Sequence, residues 1–208
     1  MRWVVVVPVK PAAEGKTRLA GSLSAGARER LVRAMALDTI AAASAAEGVE
    51  RVVVVTADPV LRELLASSTD LVGEPGGGLN AAVGAGIDRA RRLDAGVAVL
   101  LGDLPALRPA DLADALSMAA AHDRAVVADA GGTGTTLLTA LPGLALEPRF
   151  GAGSAAAHER AGHVRLAVPA TSTVRRDVDV ADDLAEVERL GVGPATHAVL
   201  GLDADPVG

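Results

Sequence analysis

The sequence predicts an α/β fold, a mostly parallel central sheet with helices on both faces, and three features of the chain lead there. Short continuous apolar runs recur at 4–9, 52–55, 97–101, 125–128 and 164–168. They lack the alternation of a half-exposed strand, which is how strands buried on both faces read. Helical stretches separate them at 25–46, 59–67, 79–93, 109–122, 154–161 and 181–190, so strand and helix alternate along the chain. The helix starts also carry capping chemistry.

The elements follow in order. The first strand empties into a loop with Lys10, Lys16 and Arg18, and Ser24 then stands where an N-cap belongs before helix 25–46. Asp58 precedes Pro59, an N-cap before a first-turn proline. Gly76, Gly77 and Gly78 lead into helix 79–93, and Arg108 with Pro109 opens helix 109–122. Two loops of small residues, 131–136 and 150–154, follow the strand at 125–128, and the second opens helix 154–161. With 208 residues, half of them apolar, one domain covering 1–208 is expected, its last residues from 201 forming a loosely held tail.

Composition excludes several functions. Twenty basic against twenty-six acidic residues give a net charge of -6, so there is no broad basic field to attract nucleic acid. Trp3 and Phe150 are the only aromatic residues, too few for a base-stacking platform. Without cysteine there is neither a disulfide framework nor a thiolate metal site. No apolar run reaches the length of a membrane span and the N-terminus makes a poor signal peptide, so a cytoplasmic protein with no membrane partner is expected.

The segment 10–17, KPAAEGKT, departs from the Walker A pattern only where Lys10 replaces the first glycine. That departure matters, because Lys10 cannot readily adopt a glycine's backbone conformation, Pro11 lacks an N–H, and Gly21 with Ser22 separates the lysine from the helix that should begin there. The loop therefore fits phosphate contact through the side chains of Lys10, Lys16 and Arg18, at the C-terminal end of a parallel strand where open α/β sheets place ligands. Three cations in a loop also fit a merely solvated segment.

The carboxylates point the same way. Asp103 follows the strand at 97–101, and Asp177 and Asp179 alternate in RDVD, which puts both on one side of an extended chain. Two unit charges about 4 Å apart repel by about 4 kcal/mol at an effective dielectric of 20, so three converging aspartates require a cation. An all-oxygen set suits magnesium. Read singly, Asp103 also fits a turn cap, and Asp177 and Asp179 an exposed edge. Gly76, Gly77 and Gly78 allow backbone to approach a flat ligand while Asn80 offers an amide, and free N–H groups near Ser154 suit a phosphate or carboxylate. His158 reads as a capping or packing residue, and Asp38, on an apolar helix face, as a buried hydrogen bond to a loop.

Taken together, VPVKPAAEGKTRLA, TAD at 56–58, GGGLNAA at 76–82, GDLPAL at 102–107, FGAGS with His158, and RRDVDVADDL resemble, in order and over nearly the whole chain, the 2-phospho-L-lactate and phosphoenolpyruvate guanylyltransferases of coenzyme F(420) biosynthesis. The resemblance implies a Rossmann-like nucleotidyltransferase fold of the glycosyltransferase-A type. It implies GTP held by Pro8, Lys10, Lys16, Arg18, Thr56, Asp58, Gly76, Gly77, Gly78 and Asn80, with Lys10, Lys16, Arg18 and Asp103 catalytic. Asp103, Asp177 and Asp179 look like magnesium ligands, and one of Thr135 and Thr136, with Gly151 and Ser154, would hold the acceptor. Gly15 and Thr17 depart from the family's opening loop, and the run 133–136 is closer to the branch that uses phosphoenolpyruvate than to the one that uses 2-phospho-L-lactate. The product would pass to the next enzyme of the pathway. Two alternatives stand beside this: the same fold acting on a molybdopterin or a sugar or alcohol phosphate, and a non-catalytic nucleotide-binding regulatory module.

Overall fold

The computed structural model describes residues 1–12 and 24–203. Its strands are β1 (Trp3–Pro8), β2 (Val49–Val55), β3 (Asp70–Val72), β4 (Gly96–Leu100), β5 (Arg124–Ala128), β6 (Thr135–Ala140) and β7 (Val164–Arg165). The helices are α1 (Ala25–Ala45), α2 (Pro59–Leu65), α3 (Leu79–Ala90), α4 (Pro109–Ala119), α5 (Ser154–Arg160), α6 (Ala181–Leu190) and α7 (Pro194–Asp203). The sheet order is β3-β2-β1-β4-β6-β5-β7.

The valine run of β1 lies at the centre because it can be buried on both faces. Val4 and Val6 join the cluster under α3, with Val83 and Ile87, whereas Val5 and Val7 face Ile40 of α1 and Leu112 and Leu116 of α4. Parallel pairing of β1 with β2 and β4 brings the C-terminal ends of all three strands to one edge, and the site is built there.

The sheet differs from the expected one at β6. That strand runs antiparallel to both β4 and β5, so Thr135 and Thr136, read from sequence as part of a loop, begin a central, fully buried strand. Glycines at 131, 132 and 134 make a tight turn between β5 and β6, and their composition hid the strand that starts directly after them. β3 has three residues, too few to register as an apolar run. The expected strand at 164–168 shrinks to the two residues of β7, exposed at the sheet edge. Helix α7 continues through Asp203, past residue 201. Its start is anchored by Asp38, whose carboxylate accepts from the backbone N–H of Ala195 at 3.0 Å and Thr196 at 2.7 Å, so the buried hydrogen bond expected of that residue goes to the first turn of a helix and not to a loop.

Capping follows the sequence closely. Ser24 Oγ accepts from Ala27 N–H, and Asp58 accepts from Val60 and Leu61 N–H. No described helix is long and apolar enough to cross a membrane.

Helix α3 lies very close to the sheet. A Cβ on Gly86 would stand 2.3 Å from Val6 Cγ1 and 2.8 Å from Val55 Cγ2, so only glycine fits there without displacement. Gly86→Ala should therefore lower stability by about 1–3 kcal/mol despite alanine's better helix propensity. Urea unfolding checks this, and an unchanged midpoint would show that α3 can move away from β1 at no cost.

Candidate active site

Asp103 sits three residues beyond the end of β4, in a loop held from two directions. Leu104 N–H donates to Thr39 Oγ1 on α1 at 3.0 Å, and Val178 N–H donates to the Asp103 carbonyl at 3.1 Å. The second bond explains how the distant RDVD segment reaches the site. Val178 is fully buried against Leu31, Val32 and Met35 of α1 and Val187 of α6, so its neighbours Asp177 and Asp179 are set outward on either side of it. Asp183 in the first turn of α6 accepts from the N–H groups of Asp179 and Val180, fixing the end of the segment.

These supports bring one carboxylate oxygen each from Asp103, Asp177 and Asp179 within 4.8 Å of one another. Burial above all, then the neighbouring Asp103, Asp179 and Asp129 carboxylates, pushes Asp177 up to about 7. Three hard oxygen donors and this unfavourable negative charge fit a divalent cation such as magnesium or manganese. Asp129 was not singled out from sequence. Its carboxylate accepts from Thr133 and Gly134 N–H and shapes the turn into β6, a role that the neighbouring glycines in the sequence hint at.

A second group of residues lies between β6 and α5. Ser154 Oγ donates to Thr135 Oγ1 at 3.1 Å, and Thr135 Oγ1 also meets His158 Nδ1 at 3.1 Å. His158 Nε2 accepts from Arg149 N–H at 2.9 Å, which makes the imidazole a built-in hydrogen-bonding part and not only a packing residue. Burial first, then His163 and Arg149, lowers His158 to about 4, so the ring is neutral at pH 7. Thr136 Oγ1 is buried with no hydrogen-bond partner. The helix start itself is less available than expected: Ser154 N–H donates to the Gly151 carbonyl and Ala155 N–H to that of Thr133, so those two amides are already used.

The expected nucleotide residues divide into available and committed groups. Lys10 is exposed just beyond β1, where Pro8 is paired with Val55. Gly76, Gly77 and Gly78 have φ of 78°, 82° and 82°, a run of left-handed backbone that needs glycine and leaves a side-chain-free approach to α3. Thr56 and Asp58, by contrast, are buried and serve the protein itself. Thr56 Oγ1 accepts from Asp58 N–H, and Asp58 also accepts from Ala12 N–H and from Arg33 at 2.9 Å. Burial alone would raise the Asp58 carboxyl, but the Leu61 N–H, Arg33 and the Ala12 N–H hold it below its usual range. Both residues thus anchor the start of the Lys10 loop, and nothing in the sequence flagged Arg33 as the partner.

Asn80 is also redirected. Its Nδ2 donates to the Phe150 carbonyl at 3.0 Å and its Oδ1 accepts from Phe150 N–H at 2.8 Å, so the amide expected at a base is used to tie α3 to the 149–151 turn. Lys16 and Arg18 lie outside the described residues.

An α/β sheet with a carboxylate cluster at its C-terminal edge, together with a glycine loop and a pair of buried hydroxyls, is the framework of a nucleotidyltransferase. Its fold is similar to that of a Desulfovibrio desulfuricans protein described as a candidate nucleotide-diphospho-sugar transferase, with a TM-score of 0.71 at 16% identity over 98% of this chain and 96% of that one. A Mycobacterium tuberculosis protein crystallised in complex with manganese is also similar, with a TM-score of 0.58 at 20% identity over 90% of this chain and 97% of that one. The family described as guanylyl transferase, CofC like, matches residues 3–201. Phosphoenolpyruvate guanylyltransferase of Streptomyces scabiei is 51% identical over 95% of both chains. The protein of the same name from Sanguibacter keddieii is 50% identical over 95% of this chain and 84% of its own. The chain belongs to the CofC-like guanylyl transferase family, and its activity is guanylyl transfer.

Two measurements probe this geometry without substrate. A divalent cation should raise the melting temperature of the wild-type protein. Asp177→Asn, which relieves the crowding, should melt higher than wild type without metal at pH 8 and lose the gain on adding magnesium; a retained gain would place the cation elsewhere. The second concerns pH. An unfolded histidine takes up a proton below about 6.5, whereas folded His158 does so only near 4, so its contribution to stability is present above 6.5 and is lost as pH falls toward 4. The stability difference between wild type and His158→Asn should accordingly narrow from pH 7 to pH 4.5 in denaturant titrations, and a constant difference would contradict a neutral buried ring.

Proposed function

We propose that the chain is a phosphoenolpyruvate guanylyltransferase acting in coenzyme F(420) biosynthesis. The observation that carries this reading is the 50–51% identity, over 95% of the chain, to proteins of that name. The acceptor's phosphate oxygen forms a bond to the α-phosphorus of GTP, the bond from that phosphorus to the α,β-bridging oxygen breaks, and pyrophosphate leaves. The product is enolpyruvyl-diphospho-5'-guanosine, which passes to the next enzyme of a cytoplasmic pathway.

Because the attacking phosphate is already ionised, the reaction needs no general base. That agrees with the residues at hand: His158, the histidine bonded to Thr135, is neutral and bound at both nitrogens. Asp103, Asp177 and Asp179 would hold magnesium, which when bound neutralises charge where two polyanions meet. The other residues bind and orient. Lys10, together with Lys16 and Arg18, contacts the phosphates of GTP, and the glycines at 76–78 receive the base. On the acceptor side, Thr136 is the donor we assign to phosphoenolpyruvate. Its carbonyl accepts from Leu101 N–H at 3.1 Å, which sets its buried, unpaired hydroxyl on the strand beside the chain leading to Asp103. Gly151 and Ser154 complete that side.

The test is pyrophosphate release from GTP and magnesium with phosphoenolpyruvate, with 2-phospho-L-lactate, or with no acid, the product masses being recorded. Release driven by phosphoenolpyruvate, with its guanylyl adduct, is expected. Release driven only by 2-phospho-L-lactate, or by neither acid, would overturn the acceptor. Asp103→Asn should reduce kcat at least about 100-fold while its urea midpoint stays near or above that of wild type, since one of three crowded charges is removed. Normal turnover would take Asp103 out of the site.

A further inference from the structure

The hydroxyl pair Thr135 and Ser154 is held from behind by a histidine whose hydrogen-bonding direction is fully determined. A backbone N–H can only donate, so the bond from Arg149 N–H requires His158 Nε2 to be the acceptor. A neutral imidazole with Nε2 unprotonated carries its hydrogen on Nδ1, and Nδ1–H must then donate to Thr135 Oγ1. Around the ring, Phe150 stands edge-on at 5.2 Å and His163 at 5.5 Å, so two rings pack against the imidazole.

Counting hydrogens gives the consequence. His158 Nδ1, Thr135 and Ser154 bring three donor hydrogens, and two internal bonds link them. One hydroxyl hydrogen is therefore left over, on Thr135 or on Ser154, whichever way the bond between them runs. Both residues are almost fully buried, so bulk water does not satisfy it. Beside them the chain is open: at Gly151, with φ of 137°, and at Gly153, with φ of 69°, nothing lies within 4 Å of where a Cβ would sit. We infer that His158 is a positioning residue, whose Nδ1–H orders the Thr135 and Ser154 hydroxyls so that one of them presents its hydrogen to an anionic group of the acceptor. This inference rests on the acceptor side proposed above and adds to Thr136 a second donor, together with what orients it.

The imidazole has two jobs that different variants separate. In His158→Asn the amide stands near the position of Nδ1 and can donate to Thr135 but no longer reaches Arg149 N–H, whereas His158→Gln reaches Arg149 and loses the donor. His158→Gln should raise the KM for phosphoenolpyruvate about tenfold or more, as expected for a hydrogen bond to a charged group, with the KM for GTP unchanged. His158→Asn should stay within about threefold of wild type for both. Thr135→Val should match His158→Gln, and the double variant should be no worse than either single one, since both break the same relay. Equal effects of Asn and Gln, a parallel change in the GTP KM, or additive losses would overturn the inference and leave His158 as support for the fold. The ring's nitrogen-15 chemical shifts in the wild-type protein provide a test that needs no turnover: Nδ1 protonated and Nε2 not is expected, and the reverse tautomer ends the proposal whichever acceptor the enzyme uses. A wild-type protein inactive with phosphoenolpyruvate but showing the expected tautomer would overturn the acceptor and support the relay.

Discussion

The structure is organised around one electrostatic constraint, the convergence of three carboxylates at the C-terminal edge of the sheet. Asp103, Asp177 and Asp179 repel one another, and burial above all, with that repulsion added to it, displaces Asp177 to about 7. Nothing in the carboxylates themselves holds them together. The fold supplies the restraint through Val178, whose side chain is buried among α1 and α6 while its N–H is bound to the Asp103 carbonyl. Apolar burial of one residue thus forces the charges on either side of it into place, and the cluster so formed fits a divalent cation.

A second pair of restraints links the two sides of the site. Asn80, at the start of α3, grips both polar groups of the Phe150 backbone, and His158, on α5, accepts from the Arg149 N–H just before it. The turn at 149–151 is consequently held between the glycine loop at 76–78 and the hydroxyl pair on β6 and α5. Asp58 works similarly at the other end, joining the start of the Lys10 loop, helix α2 and Arg33 of α1. Several polar residues that read in sequence as ligand contacts therefore also support the backbone around the site.

Local patterns were legible from the amino acids. The valine runs announced β1, β2 and β4 because buried parallel strands need apolar residues on both faces, and Asp58–Pro59 and Ser24 announced helix starts because caps act within three residues. β6 was concealed by the glycines before it, and α7 by a start whose cap, Asp38, lies 157 residues away in sequence from Ala195. Of the candidate site, the carboxylate triad could be named from the chain, since charge needs neutralising wherever three aspartates meet. The uses of Asn80, Asp58 and His158 could not, because hydrogen-bonding groups take whichever partner the fold brings within reach.

By itself, then, the sequence determined the α/β alternation, the glycine loop, the carboxylates and, through the family's motifs, guanylyl transfer. Each depends on residue type and short-range spacing. Only the tertiary structure decided which polar groups remain available to a ligand: Thr136 unpaired, Thr135 engaged with His158 and Ser154, Asn80 and Asp58 already occupied. Availability is what is left after all other donors and acceptors have been matched, and that matching runs between residues tens of positions apart, which local spacing does not encode.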